Sequence, residues 1–289
     1  MYLDLDAARM PTASLRPATT PEWTVVVPFF NEREYLAATI ASLATQSVPL
    51  TLVLVDNGST DGSARIAERA CRQYNLDYLL ITETRPGKVA ALRAGLDRVR
   101  TRWVATCDAD TIYPRDYLAA AADILARPGC VVAGAYFVAP DTGPSRREAI
   151  ARGFLTAARL LPRQCHAGGA GQAFCTAALR DAGGFDPQRW NYVLEDHEVI
   201  HRVMRHGTMG YSADLWCVPS PRKRDRASIR WTLLERLLYS AAAPAAGDWF
   251  FYSFLGDRLR RRRLLSNRMR ERQFHHIEGP LLATPHPVF

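Results

Sequence analysis

Trp23-Thr24-Val25-Val26-Val27-Pro28-Phe29-Phe30-Asn31-Glu32 and Leu52-Val53-Leu54-Val55-Asp56-Asn57-Gly58-Ser59-Thr60-Asp61-Gly62-Ser63 share one plan. Each is a short apolar, β-branched run that stops abruptly in polar and turn-forming residues. Runs without polar alternation read as strands of a sheet covered on both faces. Two more follow, Tyr78–Ile81 and Trp103–Thr106, so the spacing is roughly 26 residues, the length of a strand–helix unit. Between the runs, apolar residues recur at intervals of three and four: Tyr35, Leu36, Ile40 and Leu43, then Ile66 and Ala70, then Val89, Leu92, Leu96 and Val99. Strand, helix, strand in this rhythm predicts an α/β fold with a mostly parallel, Rossmann-like sheet flanked by helices.

The rhythm loosens beyond residue 130. Cys130–Val138 reads as a further strand, Arg147–Leu161 as a helix, His166–Gln172 as a Gly-rich loop, Asp181–Pro187 as a turn and Glu195–His206 as a helix stopped by Gly207. Ile229–Phe274 reads as helical, with Leu, Trp and Phe among arginines. The division expected is an N-terminal arm at 1–22, a body at 23–231 with halves 23–112 and 113–231, and a helical basic extension at 232–289.

Of 289 residues, 48% are hydrophobic and 23% charged, which excludes a wholly disordered chain and a collagen-like rod. The net charge of +8 is local: residues 222–272 hold fourteen Arg or Lys against five Asp or Glu, and the remainder is close to neutral. Such a basic segment implies an anionic partner. None of the six cysteines forms a CxxC pair, which suits free thiols in a reducing compartment. Met1 is followed by Asp4 and Asp6, with no basic region and no long apolar run, so no signal peptide is expected. The apolar stretch Ser240–Leu255 is interrupted by Pro244, Gly247 and Asp248 and is shorter than the roughly 20 residues a bilayer span needs. A cytoplasmic location is expected.

Ligands of a parallel sheet gather beyond the carboxyl ends of its strands. The four ends supply Pro28, Phe29, Asn31 and Glu32, then Asp56 and its Asn57-Gly58 turn, then Gly87 and Lys88, then Asp108-Ala109-Asp110. Asp108 and Asp110, two apart at a strand end, project from one face. Two adjacent carboxylates are costly without a cation, and a hard ion such as Mg²⁺ or Mn²⁺ binds one or two of them and completes its shell with phosphate oxygens and water. The plainer alternative is a solvated turn, or Asp110 as a helix cap. Asp56 is either turn chemistry or an acceptor for a nucleobase edge. Lys88 is either a surface lysine or a phosphate contact beside a helix N-terminus.

Taken together and in order, these motifs resemble family 2 glycosyltransferases of the GT-A fold. The resemblance rests on the stretches quoted at the outset, on Gly87-Lys88-Val89-Ala90-Ala91-Leu92-Arg93-Ala94-Gly95 and on Asp108-Ala109-Asp110. It continues through Gly171-Gln172-Ala173-Phe174, Ala182-Gly183-Gly184-Phe185-Asp186, Trp190 and Glu195-Asp196, and covers residues 23–231. It implies an inverting transfer from a nucleotide-diphosphate sugar to a glycan or lipid-linked acceptor. Asp110 and Asp108 would hold the metal, Asp196 would be the base, Glu195 would lie beside it, and Arg230 would touch the leaving group. Processive members carry Gln-x-x-Arg-Trp; here Arg230-Trp231 is kept but Ala227 stands where Gln is expected, so a single transfer is implied.

Three rival readings remain at this level. His197-Glu198-Val199-Ile200-His201 is a literal HExxH zinc motif, with Glu235 as the downstream candidate for a third ligand. A second rival is an inactive nucleotide-sugar-binding protein. The third is nucleic-acid binding by the basic tail. An anionic membrane surface is preferred for the tail over nucleic acid, because the aromatic run Trp249–Phe254 precedes Arg258–Arg263 as in an interfacial helix.

Overall fold

The computed structural model describes residues 21–220 and 232–267. Four strands open the chain: β1 Trp23–Phe29, β2 Leu50–Asp56, β3 Tyr78–Thr82 and β4 Trp103–Cys107. They are joined by α1 Leu36–Ala44, α2 Ser63–Gln73 and α3 Lys88–Leu96. All four strands lie parallel, β2 and β4 flanking β1 and β3 flanking β2. Alternation along the strands divides the core in two. Trp23, Val25, Val27, Leu52 and Leu54 pack with α1, α2 and with α4 Tyr117–Leu125. Val26, Val53, Val55 and Val104 pack on the other face with α3, with α6 Thr176–Asp181 and with α7 Glu195–Val203. Burial on both faces is why β1, β2 and β4 read as unbroken apolar runs; β3, at the sheet edge, is only partly buried.

The second half departs from the sequence reading in two places. Cys130–Val138 is not one strand. It breaks at Ala135 into β6 Cys130–Gly134 and β7 Tyr136–Phe137, which join different sheets. The Gly-rich loop ends earlier than expected, because Gly171 and Gln172 begin β8 Gly171–Cys175. β8 inserts antiparallel between β4 and β6, giving seven strands in the order β3-β2-β1-β4-β8-β6-β9, with β9 Thr208–Gly210 at the edge. A side chain at Gly171 would place its Cβ 2.7 Å from that of Ala135, so only glycine permits this insertion.

A small second sheet orders β5 Thr111–Ile112, β10 Trp216–Pro219 and β7. It carries Ser220 to Asp110. α5 Pro144–Leu160 covers the outside of this half.

The tail is helical as expected: α8 Leu233–Asp248, a π-helical segment Trp249–Leu255 and α9 Gly256–Arg261. Its aromatic run does not form one free face, however. Phe250, Phe251, Leu255, Leu259 and Leu264 are buried against Trp190, Val193 and Tyr239, leaving Trp249 and Tyr252 exposed. A face this rich in large side chains finds a partner on its own chain first, because burial of apolar area is the dominant driving force. The basic run is also partly spent. Arg258 and Arg262 both bind Glu235, which is fully buried in the first turn of α8.

Candidate active site

The sheet reverses direction of winding at β1, with β2 on one side and β4 on the other. That switch point opens a cleft, as expected for a doubly wound sheet. The cleft has a volume of about 340 Å³ and is lined by residues from both strand ends, from the first turn of α7 and from the tail.

Of the residues singled out by sequence, Pro28, Phe29, Glu32, Lys88, Asp108, Asp110, Glu195 and Asp196 line the cleft. Asn31, Asp56 and Gly87 stand behind it. Asn31 adopts a left-handed backbone (φ 53°). Its N–H donates to Ser59 Oγ, and its Oδ1 accepts from the Thr60 N–H at 2.8 Å. Asp56 Oδ1 accepts from the Ser59 N–H at 2.8 Å. Glu32 is tied by its N–H to Ser63 Oγ. The two motif loops thus brace one another. Arg230 lies outside the described residues.

Asn57 was legible only as a turn residue, yet it lines the cleft and organises its rim. Its Nδ2 donates to the carbonyls of Glu83 and Arg85, and its Oδ1 accepts from the Gly87 N–H. Ser266 lines the cleft too, brought there by the tail, and nothing near a strand end in the sequence pointed to it.

Lys88 joins the two acidic pairs. Its Nζ lies 2.7 Å from Asp108 Oδ1 and 3.3 Å from Glu195 Oε1. Burial works against its charge, but Asp108, Glu195 and Asp196 more than offset this and hold the ammonium well above the ordinary lysine range. Burial pushes Glu195 up, with Lys88 opposing and Asp196 adding to the rise. Asp196 goes the other way. Despite burial, His197 (Nδ1 to Asp196 Oδ1, 3.0 Å) and Lys88 keep its carboxyl below the usual range. Both acids sit in the first turn of α7, where the helix dipole favours negative charge. The residue before them, Leu194, is held at φ +64°, a costly conformation for leucine and one that clusters at functional sites. Asp110 Oδ2 accepts from Ser220 Oγ at 3.0 Å, and the Ser220 N–H donates to the Asp110 carbonyl.

The HExxH reading fails on contacts. Glu198 is buried and gripped by Arg202 through Nε at 2.7 Å and Nη2 at 2.8 Å, and it also accepts from Tyr252 Oη. His197 faces Asp196, while His201 pairs with Asp248. Glu235, the third-ligand candidate, is occupied by arginines. Among the described residues no three His, Cys, Asp or Glu side chains gather as a metal cage.

Comparison with known proteins agrees with this geometry. The profile of the family described as "Glycosyl transferase family 2" matches residues 24–182. Among curated relatives, the chain is 28% identical over 111 residues to a putative teichuronic acid biosynthesis glycosyltransferase of Bacillus subtilis, 38% of this chain and 44% of that one. It is 33% identical over 99 residues to a dodecaprenyl-phosphate galacturonate synthase of Rhizobium johnstonii, 32% of this chain and 29% of that one. The matches thus span less than half of these relatives' lengths. Among solved structures, a mannosyltransferase of Pyrobaculum calidifontis in complex with GDP-Man and Mn²⁺ superposes with a TM-score of 0.64 at 23% identity, covering 82% of this chain and 72% of that one. S. aureus TarS 1–349 in complex with UDP-GlcNAc gives 0.56 at 18% identity, with 81% and 71% covered. These likenesses establish the fold.

Proposed function

The chain belongs to glycosyl transferase family 2, and we propose that it moves one sugar, with inversion, from a nucleotide-diphosphate donor to an acceptor hydroxyl, without processive polymerisation. One observation carries this reading: two acidic pairs, Asp108 with Asp110 and Glu195 with Asp196, line the same cleft from different elements.

The pairs have different tasks. Asp110 and Asp108 would be the hard oxygen ligands at the cleft wall, Asp108 also being paired with Lys88. A pair rather than a cage suits an ion that shares its shell with substrate phosphates. Held there, Mg²⁺ or Mn²⁺ would neutralise the charge that develops on the departing nucleoside diphosphate. Lys88, at the first turn of α3, adds a cation and a helix N-terminus for the same diphosphate. Pro28, Phe29, Glu32 and Asn57 enclose the nucleoside side, with Asp56, Asn31 and Gly87 fixing the loops that present them. Asp196 takes the proton of the acceptor hydroxyl as its oxygen attacks the anomeric carbon. The new C–O bond forms as the bond to diphosphate breaks, through an oxocarbenium-like transition state. The lowered pKa of Asp196 keeps it ionised for that role at neutral pH.

Relatives named for dodecaprenyl-phosphate and undecaprenyl-phosphate chemistry support a lipid-linked acceptor in cell-surface polysaccharide or glycolipid assembly. We place the enzyme peripherally on the cytoplasmic face of an anionic membrane. Among the described residues no helix is long and apolar enough to cross a bilayer. The docking face we assign is the exposed leucine rim of Leu160, Leu161, Leu233, Leu234 and Leu237 rather than the buried aromatic run.

The test is a screen of UDP- and GDP-sugars with Mn²⁺ or Mg²⁺, reading release of nucleoside diphosphate. Asp110→Asn is expected to abolish metal-dependent donor binding while the protein stays folded. Full turnover in excess chelator overturns the metal assignment.

A further inference from the structure

Beyond α9 the chain doubles back. Leu264 is buried with Trp190 and Val193, and its carbonyl accepts from the Val193 N–H at 3.1 Å. Leu265 forms an antiparallel bridge with Tyr192, and the Ser266 N–H donates to the Asn191 carbonyl at 3.0 Å. Residues 264–267 therefore form a strap laid along 191–193, the segment that leads through Leu194 into Glu195 and Asp196.

The strap ends at the cleft. Ser266 is among the lining residues and is itself buried. It crosses Gly87 closely: a Cβ there would lie 3.3 Å from Ser266 Oγ and 3.4 Å from the Asn267 backbone nitrogen. Gly87 also holds φ at +122°, a conformation that favours glycine, and the strap leaves little room for a side chain there. Asn267 supplies a second, independent sign. It follows Ser266 on the strap and does not itself line the cleft, but its Oδ1 is buried and has no hydrogen-bond partner among the described residues. Buried polar atoms are nearly always satisfied, so this oxygen needs a donor that the described residues do not supply, from a water or a ligand.

We infer that the strap is part of the donor site and that Ser266 and Asn267 contact the nucleoside portion of a nucleoside diphosphate. The chemistry selects the nucleoside. An amide oxygen accepts hydrogen bonds, and a diphosphate at neutral pH offers only acceptors, whereas ribose hydroxyls and nucleobase N–H groups are donors. The position agrees. Ser266 meets Gly87, in the loop between β3 and α3, whose N–H is held by Asn57 at the end of β2. The strap is also laddered to residues 191–193, which lead into the helix that carries Asp196. Filling the donor site through Ser266 thereby fixes residues 191–193 and the start of α7. A segment at the far end of the sequence becomes a wall of the pocket built by its first four strands.

This inference rests on the donor-site reading above, and the experiment separates the two. Titrate UDP and GDP, each with Mn²⁺, into the full-length wild type and into Ser266→Ala/Asn267→Ala. The double variant is expected to bind the preferred diphosphate at least about fivefold more weakly, the effect of losing one net hydrogen bond, at an unchanged melting temperature. An unchanged affinity overturns the strap's role. So does a loss that appears only with a matching fall in melting temperature, which makes the strap structural. Ser266→Thr, which keeps the hydroxyl, paired with native Asn267, is expected to stay closer to wild type than Ser266→Ala; equal losses in these two also overturn it. If the folded wild type binds neither diphosphate, the donor-site reading itself fails.

Discussion

At Lys88 one ammonium faces Asp108, Glu195 and Asp196, and the cleft keeps its shape through that balance. Replacing it with methionine leaves buried carboxylates without their cation, which costs roughly 3 kcal/mol. The loss has a pH signature. Glu195 already has a raised pKa, and a group raised in the folded state contributes stability that is present below its unfolded value and lost as pH rises through the folded one. Lys88→Met raises it further, so the variant's deficit is smallest near the ordinary glutamate value of 4.5 and grows toward neutrality. Melting temperatures of both proteins across that window test this; a deficit that does not vary with pH contradicts it. Asp196→Asn acts on a different step. Turnover is expected to fall about 10²–10⁴-fold, the usual contribution of a general base, with donor affinity nearly unchanged. Weakened donor binding at full saturated turnover removes Asp196 from the role of base. These acids were legible in the sequence because each sits next to an element boundary with a distinctive neighbour. Asn57 was hidden because its turn chemistry is real and gives no sign of the three backbone groups it holds. Ser266 was hidden because contact with Gly87 arises only from long-range packing.

The α7 element is locked by Arg202, which grips Glu198 and reaches the carbonyls of Ala182 and Gly184. Tyr252 of the π-helical segment completes the clamp at Glu198. Removing the cation with Arg202→Met strands a buried carboxylate and is expected to cost about 3–5 kcal/mol. Tyr252→Phe removes one hydrogen bond to a charged group and costs about 1.5–3 kcal/mol. Denaturant unfolding checks both, and near-equal midpoints for Arg202→Met and wild type rule the clamp out. The clamp also accounts for the rival HExxH pattern: the same i, i+4 spacing that suits two zinc-binding histidines sets Glu198 beside Arg202. Elsewhere the elements were read well where one principle sufficed. β1, β2 and β4 are buried on both faces over most of their length and their apolar runs state it, whereas the edge strand β3 is only partly buried, with Leu79 exposed. β8 was missed because its place depends on partners far away in sequence. The break in Cys130–Val138 has the same origin, since the Ala135 N–H turns to the Gly171 carbonyl and the two halves serve separate sheets.

Over the whole molecule, the membrane contact proposed above would use a different face from the aromatic run expected of the tail. Leu160 and Leu233 are 74% and 75% exposed, and Leu237 is 61% exposed. Leu233, Leu237 and Ser240 share one stripe of α8 by helical spacing. Ser240 meets Gln164, whose Nε2 donates to its carbonyl at 2.9 Å, which brings the end of α5 beside that stripe. The loop that follows runs on to Gly169, where a Cβ would lie 3.3 Å from Asp196 Oδ2. One segment of chain thus leads from the leucine rim to Asp196, the residue proposed above as the base. Arg159, Arg163 and Arg236 are exposed beside it. Each basic residue near an anionic surface adds about 1 kcal/mol, and burying a leucine side chain adds about 1.5–3 kcal/mol at most. Apolar contact should thus dominate, the more so because Arg258 and Arg262 are committed to Glu235. Leu233→Ser/Leu237→Ser is expected to lower binding to anionic vesicles at least about tenfold, since a loss of 1.4 kcal/mol suffices for that. Arg261→Gln/Arg263→Gln should weaken binding less, and raised salt should release only the part that charge contributes. Co-sedimentation across a salt series separates the two terms. Equal recovery of the leucine variant and the wild type, or complete release by salt alone, shifts the docking face away from the leucine rim.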